Sequence, residues 1–368
     1  MNLAAFVFCS CLEFLQKMFY AAFSKAGIKS KTASCFPENI TNFAPELKDL
    51  TKMLTFIKNW TLPLAMLAGA LGYLAFAHFA FLAPTKPFMH RLVDILTPLL
   101  IFAQLLLTFC KVNPRDLLPV RWHGWLLLFQ CISCLLMVAL LLWGNMSVTY
   151  KEIFEGAMVC LICPTATAAA VITGKLGGSV SALTTYTLLS NILAAIAVPL
   201  LFPLVEPHAD LSFLGAFLKI LSKVFPLLLC PFIAALLIRR FLPKLHLCLL
   251  NMHNAAFYLW AIALTIVTAQ TFKSLFQSDA SAQVEIGIGL AGLITCAVQF
   301  LLGKRIGTHY HDRISAGQAL GQKNTVLAIW MAYTYLDPLS SVAPGSYVLW
   351  QNIINSYQLW KKRKKERF

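Results

Sequence analysis

The chain has 368 residues, of which 59% are hydrophobic and only 12% charged. Soluble domains carry roughly 25% charged residues, so a soluble fold is excluded and a polytopic membrane protein is expected. The formal net charge of +15 does not point to nucleic acid: the basic residues sit in short connections and in the tail Lys361-Lys362-Arg363-Lys364-Lys365, which fits the positive-inside rule and contact with anionic lipid.

Residues 1–52 read as an N-terminal extension. Its apolar stretch from Ala4 to Phe23 is interrupted by Glu13, Gln16 and Lys17, so it makes a poor membrane span. No small-residue cleavage site follows a clear apolar region, and a signal peptide is not expected. The stretch is either an amphipathic helix lying in the interface or sequence upstream of a natural start near Met53.

From there ten spans of about 20 residues can be drawn, each long enough for a hydrocarbon core of ~30 Å. They fall near 59–81, 92–110, 124–143, 153–174, 179–203, 212–238, 248–271, 284–303, 314–336 and 339–360. Lys111, Arg115, Arg121, Lys175, Arg239, Arg240, Lys244, Lys304, Arg305 and Arg313 fall in connections on one side, together with the tail. The other side carries only Lys86, Arg91, Lys151 and Lys273. This bias places both termini in the cytoplasm, and a bacterial inner membrane is expected.

The two halves echo each other. Leu188-Leu-Ser-Asn191-Ile-Leu193 matches Leu349-Trp-Gln-Asn352-Ile-Ile354 at an offset of 161, and Leu62-Pro63-Leu64 matches Phe225-Pro226-Leu227 at 163. A first five-span repeat is drawn over 53–205 and a second over 206–360, with the basic tail at 361–368. An odd number of spans inverts the second repeat in the membrane, an arrangement common in secondary transporters.

The ninth span is interrupted by Gly317-Gln-Ala-Leu-Gly321-Gln322-Lys323-Asn324-Thr325. A charge at membrane depth marks a functional site, and irregular backbone there needs protein or water around it. The repeat offset carries this break back to Cys163-Pro164-Thr165 in the fourth span, where proline removes a backbone donor. One such site would be an ordinary kink. Two at related positions predict crossed, discontinuous helices in an all-α fold.

Cys131-Ile-Ser-Cys134 and Cys160-Leu-Ile-Cys163 have the spacing of zinc or redox pairs. Both lie within spans and lack a second ligand pair, so small residues on one helix face are the simpler reading, and no cofactor or metal is expected. His309-Tyr-His311 marks a helix entrance at the interface.

From about Lys52 to the tail the chain resembles the bile acid:sodium symporter family. The resemblance rests on Cys163-Pro-Thr-Ala-Thr-Ala-Ala-Ala-Val171 with the following span to Pro199, on Gly321-Gln-Lys-Asn-Thr-Val-Leu-Ala328, on Pro344-Gly345 and on Trp350-Gln-Asn352. It implies ten helices in a panel domain (spans 1, 2, 6 and 7) and a core domain (3–5 and 8–10), with crossed fourth and ninth helices. It also implies alternating access for an organic anion. Sodium-coupled members carry a glutamate and, four residues on, a glutamine in the ninth helix as sodium ligands; here those positions read Ala319 and Lys323. Their serine–asparagine pair in the fourth helix reads Ala169-Ala170. Alanine supplies no side-chain oxygen to a hard cation, so sodium coupling at the usual sites is not expected. None of the fifteen Asp and Glu residues falls near the middle of a drawn span, with Asp94, Glu155 and Glu285 near span ends.

Three readings of Lys323 follow: an ammonium standing where a sodium ion would, a proton carrier, or a side chain snorkelling to water. The expected binding residues are Lys323 with Gln322 and Asn324, Thr165 and Thr167 in the fourth span, Ser190 and Asn191 in the fifth, and Gln351 and Asn352 in the tenth. Gln130 and Gln299, in spans three and eight, complete the core or else satisfy neighbouring helices. The expected partners are a small organic anion, membrane lipid and a proton or sodium as coupling ion. A sodium symporter with non-standard ligands, an intramembrane enzyme and a channel are the alternatives. The enzyme lacks an HExxH or GxSxG motif or a His–carboxylate pair at depth.

Overall fold

The computed structural model describes residues 61–143, 148–207, 211–252 and 255–366; the expectations for residues 1–52 lie outside the described residues. Among these residues the regular structure is helical. Helices α1 (Thr61–His78), α2 (Lys86–Cys110), α3 (Arg121–Trp143), α4 (Val148–Ile162), α5 (Ala169–Leu176) and α6 (Val180–Val205) make the first half. The second half holds α7 (Phe213–Phe241), α8 (Pro243–Asn251), α9 (Ala255–Gln277), α10 (Ala282–His309), α11 (Arg313–Gly321), α12 (Thr325–Tyr335) and α13 (Val342–Glu366).

By length and composition, six described helices are apolar and long enough to cross a membrane: α2, α3, α6, α7, α9 and α10. The fourth drawn span is the pair α4 and α5, and the ninth is the pair α11 and α12. The seventh span differs from its drawn limits. Its first residues belong to α8, which ends where the Met252 N–H bonds back to the Leu249 carbonyl, and the apolar helix begins at Ala255.

Local chemistry sets the helix starts. Ser179 accepts from the Ala182 N–H at the start of α6, Ser212 from Gly215 at α7, and Asp312 from Ser315 at α11. These are N-caps, worth typically about 1 kcal/mol each. Gly177 ends α5 with φ of 85°, a left-handed turn that favours glycine.

Helix α9 packs on α1 and α2, and α2 on α7, whereas α3 to α6 and α10 to α13 pack around the breaks, with α6 also lying against α7. Large apolar side chains such as Ile95, Leu99, Ile294 and Leu301 are exposed on the outside, as a lipid-facing surface requires.

Contacts between the connections group them at the two ends of the helices. At one end, Arg239 bonds the Val112 carbonyl and Asn113, Ser179 bonds Ser315, and Lys362 bonds the Lys175 carbonyl. These all come from the connections assigned to the basic side. At the other end Lys151 pairs with Glu206, and the Asp337 N–H donates to Glu155.

Helices α10 and α13 bring their backbones together at Gly292. A Cβ there would lie 2.3 Å from the Ala343 carbonyl oxygen, which belongs to a helix and cannot swing aside. Gly292→Ala is therefore expected to cost about 1–3 kcal/mol by overpacking. A lower thermal unfolding midpoint, with Gly289→Ala as the uncrowded control, checks this.

Candidate functional site at two broken helices

Following the backbone bonds residue by residue explains both breaks. In an α-helix the N–H of Lys323 would donate to the carbonyl of Ala319. Here it donates instead to Gln351 Oε1 at 2.9 Å, while the Ala319 carbonyl accepts from Thr165 Oγ1 at 2.6 Å. The Asn324 N–H turns to the Pro164 carbonyl, and the Gly321 carbonyl accepts from the Tyr347 hydroxyl at 2.8 Å. Asn324 then caps α12 through its side chain, which accepts from the Leu327 N–H. Neighbouring helices thus take over the groups that would have continued α11.

The first break closes in the same way. Pro164 has no N–H, and the N–H of Thr165 goes to Ser190 Oγ at 3.2 Å. The Ala166 N–H reaches the Gln322 carbonyl at 2.9 Å. The two breaks therefore run antiparallel and bond each other, with Thr165 opposite Lys323.

Helix α4 is left with orphan carbonyls at its end, as every helix is. Cys160 is met by Gln299 Nε2 at 3.2 Å, and Ile162 and Cys163 by Gln130 Nε2 at 2.7 and 3.1 Å. The remaining carbonyl, that of Leu161, accepts from the Lys323 ammonium at 3.3 Å. Lys323 is 1% exposed, so it does not snorkel to water. Its charge sits at the negative end of the α4 dipole, a favourable place for a cation, beside Cys134, Cys160 and Cys163.

Most of the expected residues meet at this crossing. Gln322, Thr165, Ser190 and Gln351 are buried around it, Asn191 is buried next to Ser190 in the chain, and Gln130 and Gln299 brace the crossing from α3 and α10. Asn191 has no bond on either end of its amide, and Gln322 Oε1 is likewise unpartnered. Thr167 is half-buried next to exposed Ala168 at the start of α5, so this stretch is the accessible edge of the site. Asn352 stands apart: its amide turns back to the Val348 carbonyl of its own helix. Asn355, one turn further along α13, is 3% exposed instead.

Sequence reasoning passed over two tyrosines. Tyr186 donates to Gln130 Oε1 at 3.1 Å, and the Tyr347 hydroxyl accepts from Gln299 and donates to Gly321. They are 161 residues apart, the offset already read from the repeats, and that was the available signal. Glu155, read from the sequence only as a carboxylate near a span end, is a further case. This residue is 0% exposed, about two turns before the end of α4, and close to Lys151 at 3.5 Å. Tyr347→Phe should strand the Gly321 carbonyl and lower stability by about 1–3 kcal/mol. The midpoint of denaturant unfolding in detergent reads this directly.

A family model described as the SBF-like CPA transporter family matches residues 71–358. No curated protein matches the chain.

Proposed function

Since the chain belongs to the SBF-like CPA transporter family, a family of membrane transporters, we propose that it carries a small organic anion by alternating access and is not sodium-coupled at the usual sites. In this reading Lys323 is the resident cation of the crossing. The supporting observation is that its ammonium occupies the one carbonyl at the end of α4, that of Leu161, that no neutral side chain reaches.

A sodium ion needs several oxygen ligands. At the positions where sodium-coupled relatives in the resemblance offer side-chain oxygen, Ala169, Ala170 and Ala319 offer none. The fixed ammonium leaves the crossing positive, and the N-termini of α5 and α12 add their dipoles to it. Thr167 on the accessible edge and the unpartnered Asn191 amide are the groups offered to the anion. The ten-span count, the two inverted repeats over 53–205 and 206–360, and cytoplasmic termini in a bacterial inner membrane belong to the same reading.

Purified protein in liposomes tests it. Exchange of a labelled carboxylate against an internal excess should saturate and keep its rate when potassium replaces sodium on both sides. Sodium-stimulated exchange would support the symporter alternative, and continuous ionic current a channel.

A further inference from the structure

Helices α11 and α13 face each other through amide side chains. On α13, Gln351, Asn355 and Gln358 are spaced i, i+4 and i+7 and share one face; opposite them are Gln318 on α11 and Gln322 just past its end, whose N–H still bonds back to the Gln318 carbonyl. The seam is fixed at its two ends. Gln351 accepts from the Lys323 N–H, and Gln318 Nε2 donates to Gln358 Oε1 at 3.4 Å. Asn355 lies between those ends.

This seam is buried but not satisfied. Gln318, Gln322 and Asn355 are 1%, 4% and 3% exposed. Yet Gln318 Oε1, Gln322 Oε1, both amide atoms of Asn355 and Gln358 Nε2 have no partner. A buried polar atom left unpaired is costly, and Asn355, with neither amide atom bonded, stays short whichever way its amide is turned. The set contains donors and acceptors in near balance, which is what water matches best. At the open end stand half-buried Lys304, whose stem covers Gly317, and Arg313 and Lys361, close enough to act on Lys304 electrostatically. None of these three pairs with a carboxylate among the described residues. At the inner end the seam meets the Lys323 backbone N–H; the ammonium lies beyond it, on the Leu161 carbonyl, and has no carboxylate partner among the described residues.

We infer that the seam between α11 and α13 is an aqueous route by which small anions reach the Lys323 crossing from the basic end of the protein. It lies within the core, apart from the core–panel boundary. It uses the position of Lys323 but neither transport nor sodium independence, so its test stands separately from theirs.

The experiment labels Asn355→Cys with two thiosulfonate reagents of similar size, one ending in a sulfonate anion and one in a trimethylammonium cation. Site-resolved mass spectrometry separates the new thiol from native cysteines. Val348→Cys, on the same helix and 0% exposed, is the dry control. Gln358→Cys, nearer the mouth, serves if Asn355→Cys does not fold. The anionic reagent should label the seam about tenfold faster than the cationic one, and Lys304→Glu with Lys361→Glu should remove that preference. Equal rates for the two reagents would overturn the anion route, and labelling no faster than at Val348→Cys would overturn the aqueous seam itself. Repeating the measurement in bilayers with and without phosphatidylglycerol separates the sources of anion. Slowing by that lipid assigns the route to its headgroup phosphate, and no slowing assigns it to soluble anions.

Discussion

Lys323→Gln is expected to lose anion exchange without acquiring sodium dependence. The amide is neutral and shorter, so the crossing loses its fixed positive charge and the Leu161 carbonyl loses its donor. Electrostatic groups placed at a binding site contribute far more in a water-excluded setting than in water. A fall in exchange rate of about a hundredfold or more is expected, corresponding to ~2.7 kcal/mol. Stability should move much less. Removing a buried charge also removes its desolvation cost, which offsets the bond lost at the Leu161 carbonyl. Ala319 remains without an oxygen, as do Ala169 and Ala170, so sodium has no ligand set to return to. Exchange measured in sodium and in potassium, with unfolding midpoints of the same preparations, decides this. Sodium-stimulated exchange in the variant would show that one substitution suffices to rebuild a sodium site, contrary to this account.

Gln130→Leu should be the most destabilising single change at the crossing. Its Nε2 serves the carbonyls of both Ile162 and Cys163, and its Oε1 accepts from Tyr186. Leucine fills much of the same space but strands three buried polar groups. At about 1–3 kcal/mol for each stranded group, a loss of roughly 3 kcal/mol or more is expected. Tyr186→Phe should cost less, because it strands only the acceptor on Gln130. The two residues share one bond, so the double variant should be less destabilised than the sum of the singles. Denaturant unfolding of the four proteins gives the cycle. Strict additivity would mean that the tyrosine and the glutamine do not act as a unit.

Much of this fold is legible in the sequence because a membrane imposes simple rules. Long apolar runs and the placement of lysine and arginine located the helices and sorted their connections. Pro164 and the polar run around Lys323 marked the breaks, since both interrupt a helix for reasons visible in single residues. What brings the breaks together was harder to see. Tyr186 and Tyr347 sit in apolar helices and look like ordinary buried aromatics until their hydroxyls are placed. Asn352 stands in the repeat and so is legible as a polar position, whereas the bond its amide makes to the Val348 carbonyl of α13 is visible only in three dimensions. Glu155 sits near the start of its span, where a carboxylate normally meets water; three-dimensional packing under Asp337 buries it.

The claim that Lys323 takes the place of a bound sodium ion is tested most directly by thermal unfolding of the detergent-purified protein, with sodium exchanged for potassium at constant ionic strength. A ligand that binds only the folded state stabilises it by ~2.7 kcal/mol at a hundredfold excess over Kd. The account predicts the same midpoint in both salts at every concentration. A saturable rise in midpoint specific to sodium would contradict it and place a sodium site in the protein alongside the lysine.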